Sequence, residues 1–360
     1  MPHYPEQRYA SRLMVIRREI MLPDDASGAV TIQEGKRVDI RDIIAQGVRP
    51  SRHRIIDVMA FFGLRKVSEA EKLILVNAGE AVDDVQPLAG RSATRGKRLF
   101  SPVRGIVQTI DQGRIILQEM PPIIDLEAGV RGKIAQVIPG RGAIIETTGA
   151  QIQGVWGNDK RTIATLRVEP DEGIENIYTD QLDMKYLGAI IVTRKPLKAL
   201  TFNVMADQGF TGVIAPSMDY DLRETALKAN GAILLTEGFG AARMSRMAFN
   251  LFAELDGQQA TLDAHQPGGW DNRRPEVIIN TPGTKAGETP ARPNIMLALR
   301  PGMTIRITRE PYMGQTGKIL DLPKSPVLLE NGLRVLSAHI EFSGGEAVYV
   351  PLANLEILGR

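Results

Sequence analysis

Residues 299–323 read LRPGMTIRITREPYMGQTGKILDLP. The Pro301-Gly302 turn opens a short run, Thr304 to Ile307, in which polar and apolar residues alternate as along a half-buried strand. Gly314 and Gly317 let the chain turn tightly before a second run, Lys318-Ile319-Leu320-Asp321-Leu322, whose alternation again turns one face inward. Further strands fit RVLSAHIEF, AVYVPL and NLEIL, so residues 296–360 are predicted to form a small all-β module.

These residues resemble the KOW motif of NusG-like transcription elongation factors and several ribosomal proteins. The motif's positions are occupied by Pro301, Gly302, Arg306, Pro311, Tyr312, Gly314, Gly317 and Lys318. Met303 stands where the family usually has an acidic residue, and PKSPVLLENG replaces its linker between the middle strands. The resemblance implies an SH3-like β-barrel that binds RNA through basic and aromatic loops, or a protein through an exposed edge and apolar patch. Arg306, Arg309, Tyr312, Gln315, Lys318 and Lys324 are the contact surface expected in either case. On RNA the cations would meet phosphates while Tyr312 stacks on a base. Glu310, Asp321, Glu330 and Glu341 dilute that positive field.

Upstream of this module, residues 266–295 are rich in proline, glycine and polar residues, interrupted only by the strand-like EVIIN. That composition predicts an extended or flexible connection. Before it, residues 186–265 alternate apolar runs (GAIIVT, TGVIAPS, AILLTE) with helical segments (KALTFNVMADQG, YDLRETALKANG, ARMSRMAFNLFAEL). Continuous apolar strands joined by helices predict a small α/β domain with a parallel sheet covered on both faces. Ligands of such sheets lie at the strands' carboxyl ends. The expected cleft is therefore lined by the loops Thr193-Arg194-Lys195, Ala215-Pro216-Ser217 and Thr236-Glu237-Gly238-Phe239-Gly240. Gly238 and Gly240 before a helix could hold an anion, with Arg194, Ser217 and Arg243 beside them; ordinary strand-to-helix turn glycines are the alternative. Asp219 and Asp221 are expected to cap the following helix.

Residues 71–185 read as short β runs separated by glycine turns. KLILVNAGEAVDDVQPLAGR, with Gly79, Glu80 and Val82, resembles the half-motif of barrel-sandwich hybrid domains. Ser101, Pro102, Gly105 and Val107 resemble its matching half, and the likeness extends over residues 71–168. Carriers of that fold attach a cofactor to a lysine in a Met-Lys-Met or Asp-Lys-Ala context, which this chain lacks, so no cofactor is expected. Trp156 is either a core side chain or a stacking platform. Residues 1–70 mix short apolar runs with arginines and are expected to hold a strand pair and a helix across 54–62. Arg49, Arg52, His53, Arg54, Arg65 and Lys66 form a basic cluster there, read as a solvated helix face or a phosphate contact.

The whole chain is thus expected to be multidomain, α/β and β: a barrel-sandwich-like region, a small parallel α/β domain and a C-terminal SH3-like barrel. Its 360 residues exceed the size at which a single core keeps growing. The 44 basic and 42 acidic residues nearly cancel, so binding to polyanions must come from local patches. There is no cysteine, which excludes disulfides and thiolate chemistry, and the four histidines have no metal-ligand spacing, so no metal is expected. The N-terminus carries no apolar run before a cleavage site, and no stretch is long enough to span a bilayer, so a cytoplasmic location without membrane contact is expected. No acid, base and nucleophile converge among the loop residues. The sequence therefore points to a non-catalytic adaptor or scaffold that meets a protein partner in a larger assembly. An RNA-binding or transcription–translation factor, and a phosphate-ligand or enzymatic role for the α/β domain, are the alternatives.

Overall fold

The computed structural model describes residues 3–170, 173–174, 183–266, 273–280, 289–290, 292–294 and 296–358. The chain is strand-rich, with several sheets and, among the described residues, no closed barrel. It forms two compact units, each discontinuous in sequence. One comprises residues 18–128 and 133–145; the other comprises 1–17, 129–132 and 146–360. Consecutive domains cut at 70/71, 185/186 and 265/266 do not describe these units.

In the smaller unit the two half-motifs read from the sequence lie side by side. Gly105 and Ile106 pair antiparallel with Val82 and Ala81. The Gly79 amide donates to the Val107 carbonyl at 2.7 Å, and the Val107 amide donates to Glu80 at 2.9 Å. The strand Gly105–Asp111 continues to Arg114–Glu119, which pairs with His53–Asp57. Residues 53–57 are therefore a strand, and the expected helix is confined to Val58–Phe62, where the Asp57 carboxylate caps the Ala60 amide. Val58, Ala70, Val76, Val82, Val107 and Leu117 share one core, which is why no boundary falls near residue 70. Within the basic cluster, Arg49 pairs with Asp25 and Arg54 with Glu119.

The larger unit is built around a sheet whose strands run in the order Trp156–Gly157, Ala232–Phe239, Gly212–Met218, Ile190–Val192, Arg161–Val168, Gln259–Asp263, Glu276–Ile279 and the end of Gly142–Gln153. The four strands from Arg161–Val168 to Ala232–Phe239 are parallel, as their apolar runs predict. Ile190, Val192, Ile214 and Leu234 face the helix Arg246–Glu254, whereas Ile191, Val213, Ala215, Ile233 and Leu235 face the helices Ala199–Asp207 and Arg223–Lys228. Successive residues of one strand serve opposite cores, so both faces are covered.

Three expectations are corrected here. Residues 146–168 belong to this sheet and not to a separate β domain. Glu276–Ile279, inside the expected linker, is a fully buried strand paired on both sides. Four consecutive buried residues bridging two strands outweigh their proline- and glycine-rich flanks; residues 267–272, 281–288, 291 and 295 of that segment lie outside the described residues. Asp219 and Asp221 make no side-chain cap, the helix beginning only at Arg223.

The C-terminal residues form a second sheet in the same unit, ordered Leu355–Leu358, Thr304–Ile307, Thr316–Asp321, Ser337–Phe342, Ala347–Pro351. Its outermost member on the other side is the chain's first strand, Glu6–Arg8, parallel to Leu355–Leu358. A separate two-stranded hairpin, Val327–Leu328 with Arg334–Val335, interrupts this sheet. No described helix is long and apolar enough to cross a membrane.

Candidate functional site

Alternation along Thr304–Ile307 sends Ile305 and Ile307 into the C-terminal core with Ile319, Ile340 and Val350. Arg306 faces the other way, yet it too is buried, only 3% exposed. Its Nη1 lies 3.1 Å from Glu356 Oε1, and its Nη2 contacts Glu237 Oε2. Arg8 completes the cluster: its Nε is 3.0 Å from Glu356 Oε1, its Nη2 is 3.6 Å from Glu237 Oε2, and its Nη1 donates to the Thr236 carbonyl. Two guanidinium and two carboxylate groups are thus sealed together, with Arg274 reaching Glu356 from the rim at 3.9 Å. Burial pulls the Arg306 pKa down to about 10, with Arg8 adding to the fall and Glu356 opposing it; burial also lowers that of Arg8, against the pull of Glu356. Formal charges cancel, and each cation has more than one acceptor, the condition under which such a buried group is tolerated. The cluster joins the first strand, the last strand, strand Thr304–Ile307 and the parallel sheet at Glu237.

Arg306 therefore cannot belong to an exposed contact surface, and that expectation is corrected. Tyr312 is half-buried with its ring 5.3 Å from that of Phe342, so it closes the C-terminal core and is not a free stacking platform. Arg309, Gln315, Lys318 and Lys324 are exposed. Lys318 stands opposite Glu341 on the neighbouring strand. The hairpin exposes apolar side chains: Leu328 and Leu333 are 61% and 57% exposed, and Leu336, directly after it, is 50% exposed. Leu320 and Tyr349, on strands of the same sheet, are exposed as well.

At the carboxyl ends of the parallel strands, Thr236, Glu237, Gly238 and Phe239 are strand residues and not a loop. Gly238 and Gly240 both have positive φ: Gly238 sits in the strand beyond a register shift, opposite Ser217, and the Gly240 amide donates to the Met218 carbonyl just past the strand's end. Ser217 is buried and donates to the Ala242 carbonyl at 2.8 Å. The helix Arg246–Glu254 is capped by its own Ser245, which accepts from the Ala248 amide. Arg194 lies over the ring of Phe249, 4.9 Å from its centre, and Arg243 is exposed. The five expected anion-binding residues thus surround the end of one strand, but Ser217 faces a carbonyl, and Glu237 places a carboxylate 3.4 Å from the Ser245 amide. Glu169, which carried no signal in the sequence, is buried at the same end. It accepts from the amides of Arg194 at 2.6 Å and Ile174 at 3.0 Å. Burial raises its pKa despite those two bonds. Trp156 is a core side chain, edge-on to Phe239 at 5.4 Å.

The chain matches no sequence model of a known protein family and no curated protein.

Proposed function

We propose that this protein is a non-catalytic adaptor that docks a protein partner through a KOW-like, SH3-like C-terminal module, with its barrel-sandwich-like β region and parallel α/β sheet as scaffold. The observation that carries this is the hairpin Val327–Leu328/Arg334–Val335. It holds the exposed Leu328 and Leu333, with exposed Leu336 directly after it, and it begins in the segment that replaces the linker of the KOW pattern. Apolar side chains held together on a self-paired hairpin suit a protein contact, since such patches mark interaction sites and large apolar anchors dominate interface energies. The buried Arg8–Arg306–Glu237–Glu356 cluster supports the scaffold part of the reading by fixing the docking module to the parallel sheet. Burial of Tyr312 against Phe342 disfavours RNA docking on this module.

The test is affinity capture from lysate of the source cells with the full chain and with the double variant Leu328→Asp/Leu333→Asp, each with and without ribonuclease. A partner set lost with the variant and insensitive to ribonuclease is the expected result. Ribonuclease-resistant partners unchanged in the variant, or no partner left after ribonuclease, would overturn the reading.

A further inference from the structure

At the carboxyl edge of the parallel sheet, two cationic loops flank the end of one strand. Leu197 bridges to Met218 and its amide donates to the Ser217 carbonyl, which places the loop bearing Arg194, Lys195 and Lys198 on one side. Ser217 donates to Ala242, which places the loop bearing Arg243, and Arg246 at the start of the following helix, on the other. All five cations are exposed, and no salt bridge engages Arg243 or Arg246 among the described residues. Two residues past the same strand, after Asp219, comes Tyr220, 66% exposed, its ring 5.2 Å from Phe239, which in turn rests on Trp156. A tyrosine buttressed edge-on from behind presents a fixed aromatic face at low entropic cost. Asp219 and Asp221 are exposed nearby but are outnumbered by the cations. Among the described residues, Glu224 is paired with Arg223, and Glu169 and Glu237 are buried and bonded within the protein.

We infer that this edge binds single-stranded nucleic acid, with Arg243, Arg246 and the Arg194–Lys198 loop meeting backbone phosphates and Tyr220 stacking on a base. A basic track interleaved with an aromatic platform is the arrangement that holds single strands without sequence preference. The inference is independent of the C-terminal docking surface, since it shares no residue with it.

The test is fluorescence anisotropy of the full chain with a labelled oligouridine of about 15 nucleotides, at about 50 and about 200 mM salt. Saturable, salt-sensitive binding is expected. The pair Arg243→Glu/Arg246→Glu should weaken it by about tenfold or more and flatten the salt dependence. Tyr220→Ala should weaken it by about tenfold, and Tyr220→Phe should leave it intact, because stacking needs the ring and not the hydroxyl. No saturable binding at low salt would overturn the inference, as would binding indifferent to these substitutions. Sensitivity to the charge reversals alone, with Tyr220→Ala silent, would also overturn it, leaving only a generic polyanion patch.

Discussion

Arg306 illustrates what a single side chain's alternation conveys and what it omits. The order Thr304-Ile305-Arg306-Ile307 correctly separates two inward isoleucines from an arginine on the opposite face. Nothing local reveals that the opposite face is covered by Glu237, 69 positions away in sequence. Replacing Arg306 with methionine leaves two buried carboxylates with one guanidinium fewer, and is expected to lower stability by about 3–5 kcal/mol in urea unfolding. Arg306→Lys should recover only part of that, because an ammonium lacks the fork that spans Glu237 and Glu356. Glu169 gives a pH signature. Its folded pKa is raised, so above the ordinary glutamate value the native state holds the proton more tightly than the unfolded chain does. Its contribution therefore falls as pH rises from that value through the folded pKa. Thermal melts from pH 4 upward should show the stability of the parent chain declining relative to Glu169→Gln across that window; a constant difference would contradict the assignment.

Among elements, the parallel strands were the most legible, because continuous apolar runs between helical segments leave few other folds. The strand Glu276–Ile279 was the least, since its flanks of proline and glycine read as a connection. Its amides pair with both neighbours, so hydrogen exchange at Val277 to Ile279 is expected to be as slow as in Ala232–Phe239; rapid exchange would restore the flexible-linker reading. Close backbone approach explains Gly157: a Cβ there would sit 2.1 Å from the Ala264 carbonyl oxygen. Gly157→Ala should cost about 1–3 kcal/mol in a thermal or urea melt, as overpacking of a tight core does. The grouping of the expected anion-binding residues was legible only in part. Glycines, an arginine pair and a serine do converge on one strand end. The hydrogen bonds that occupy Ser217, and the aromatic prop behind Tyr220, depend on tertiary neighbours that local spacing does not encode.

At the scale of the whole molecule, the chain's two ends meet: Glu6–Arg8 lies along Leu355–Leu358, and Arg8 and Arg306 share two counter-ions. Consecutive domain cuts miss this because pairing between the first and last strands leaves no mark in either segment. Removing residues 293–360 is therefore not a clean excision. It strips Arg8 of Glu356 and Glu237 of Arg306, and the shortened chain is expected to melt well below the full one. The docking proposal is better tested with the intact chain. A photo-crosslinking residue at Leu333, in the exposed hairpin, is compared with one at Val85, an exposed apolar position in the other unit. A discrete, ribonuclease-resistant protein adduct is expected from position 333 and none of the same size from position 85. No adduct from 333, or the same adducts from both, would contradict the docking proposal.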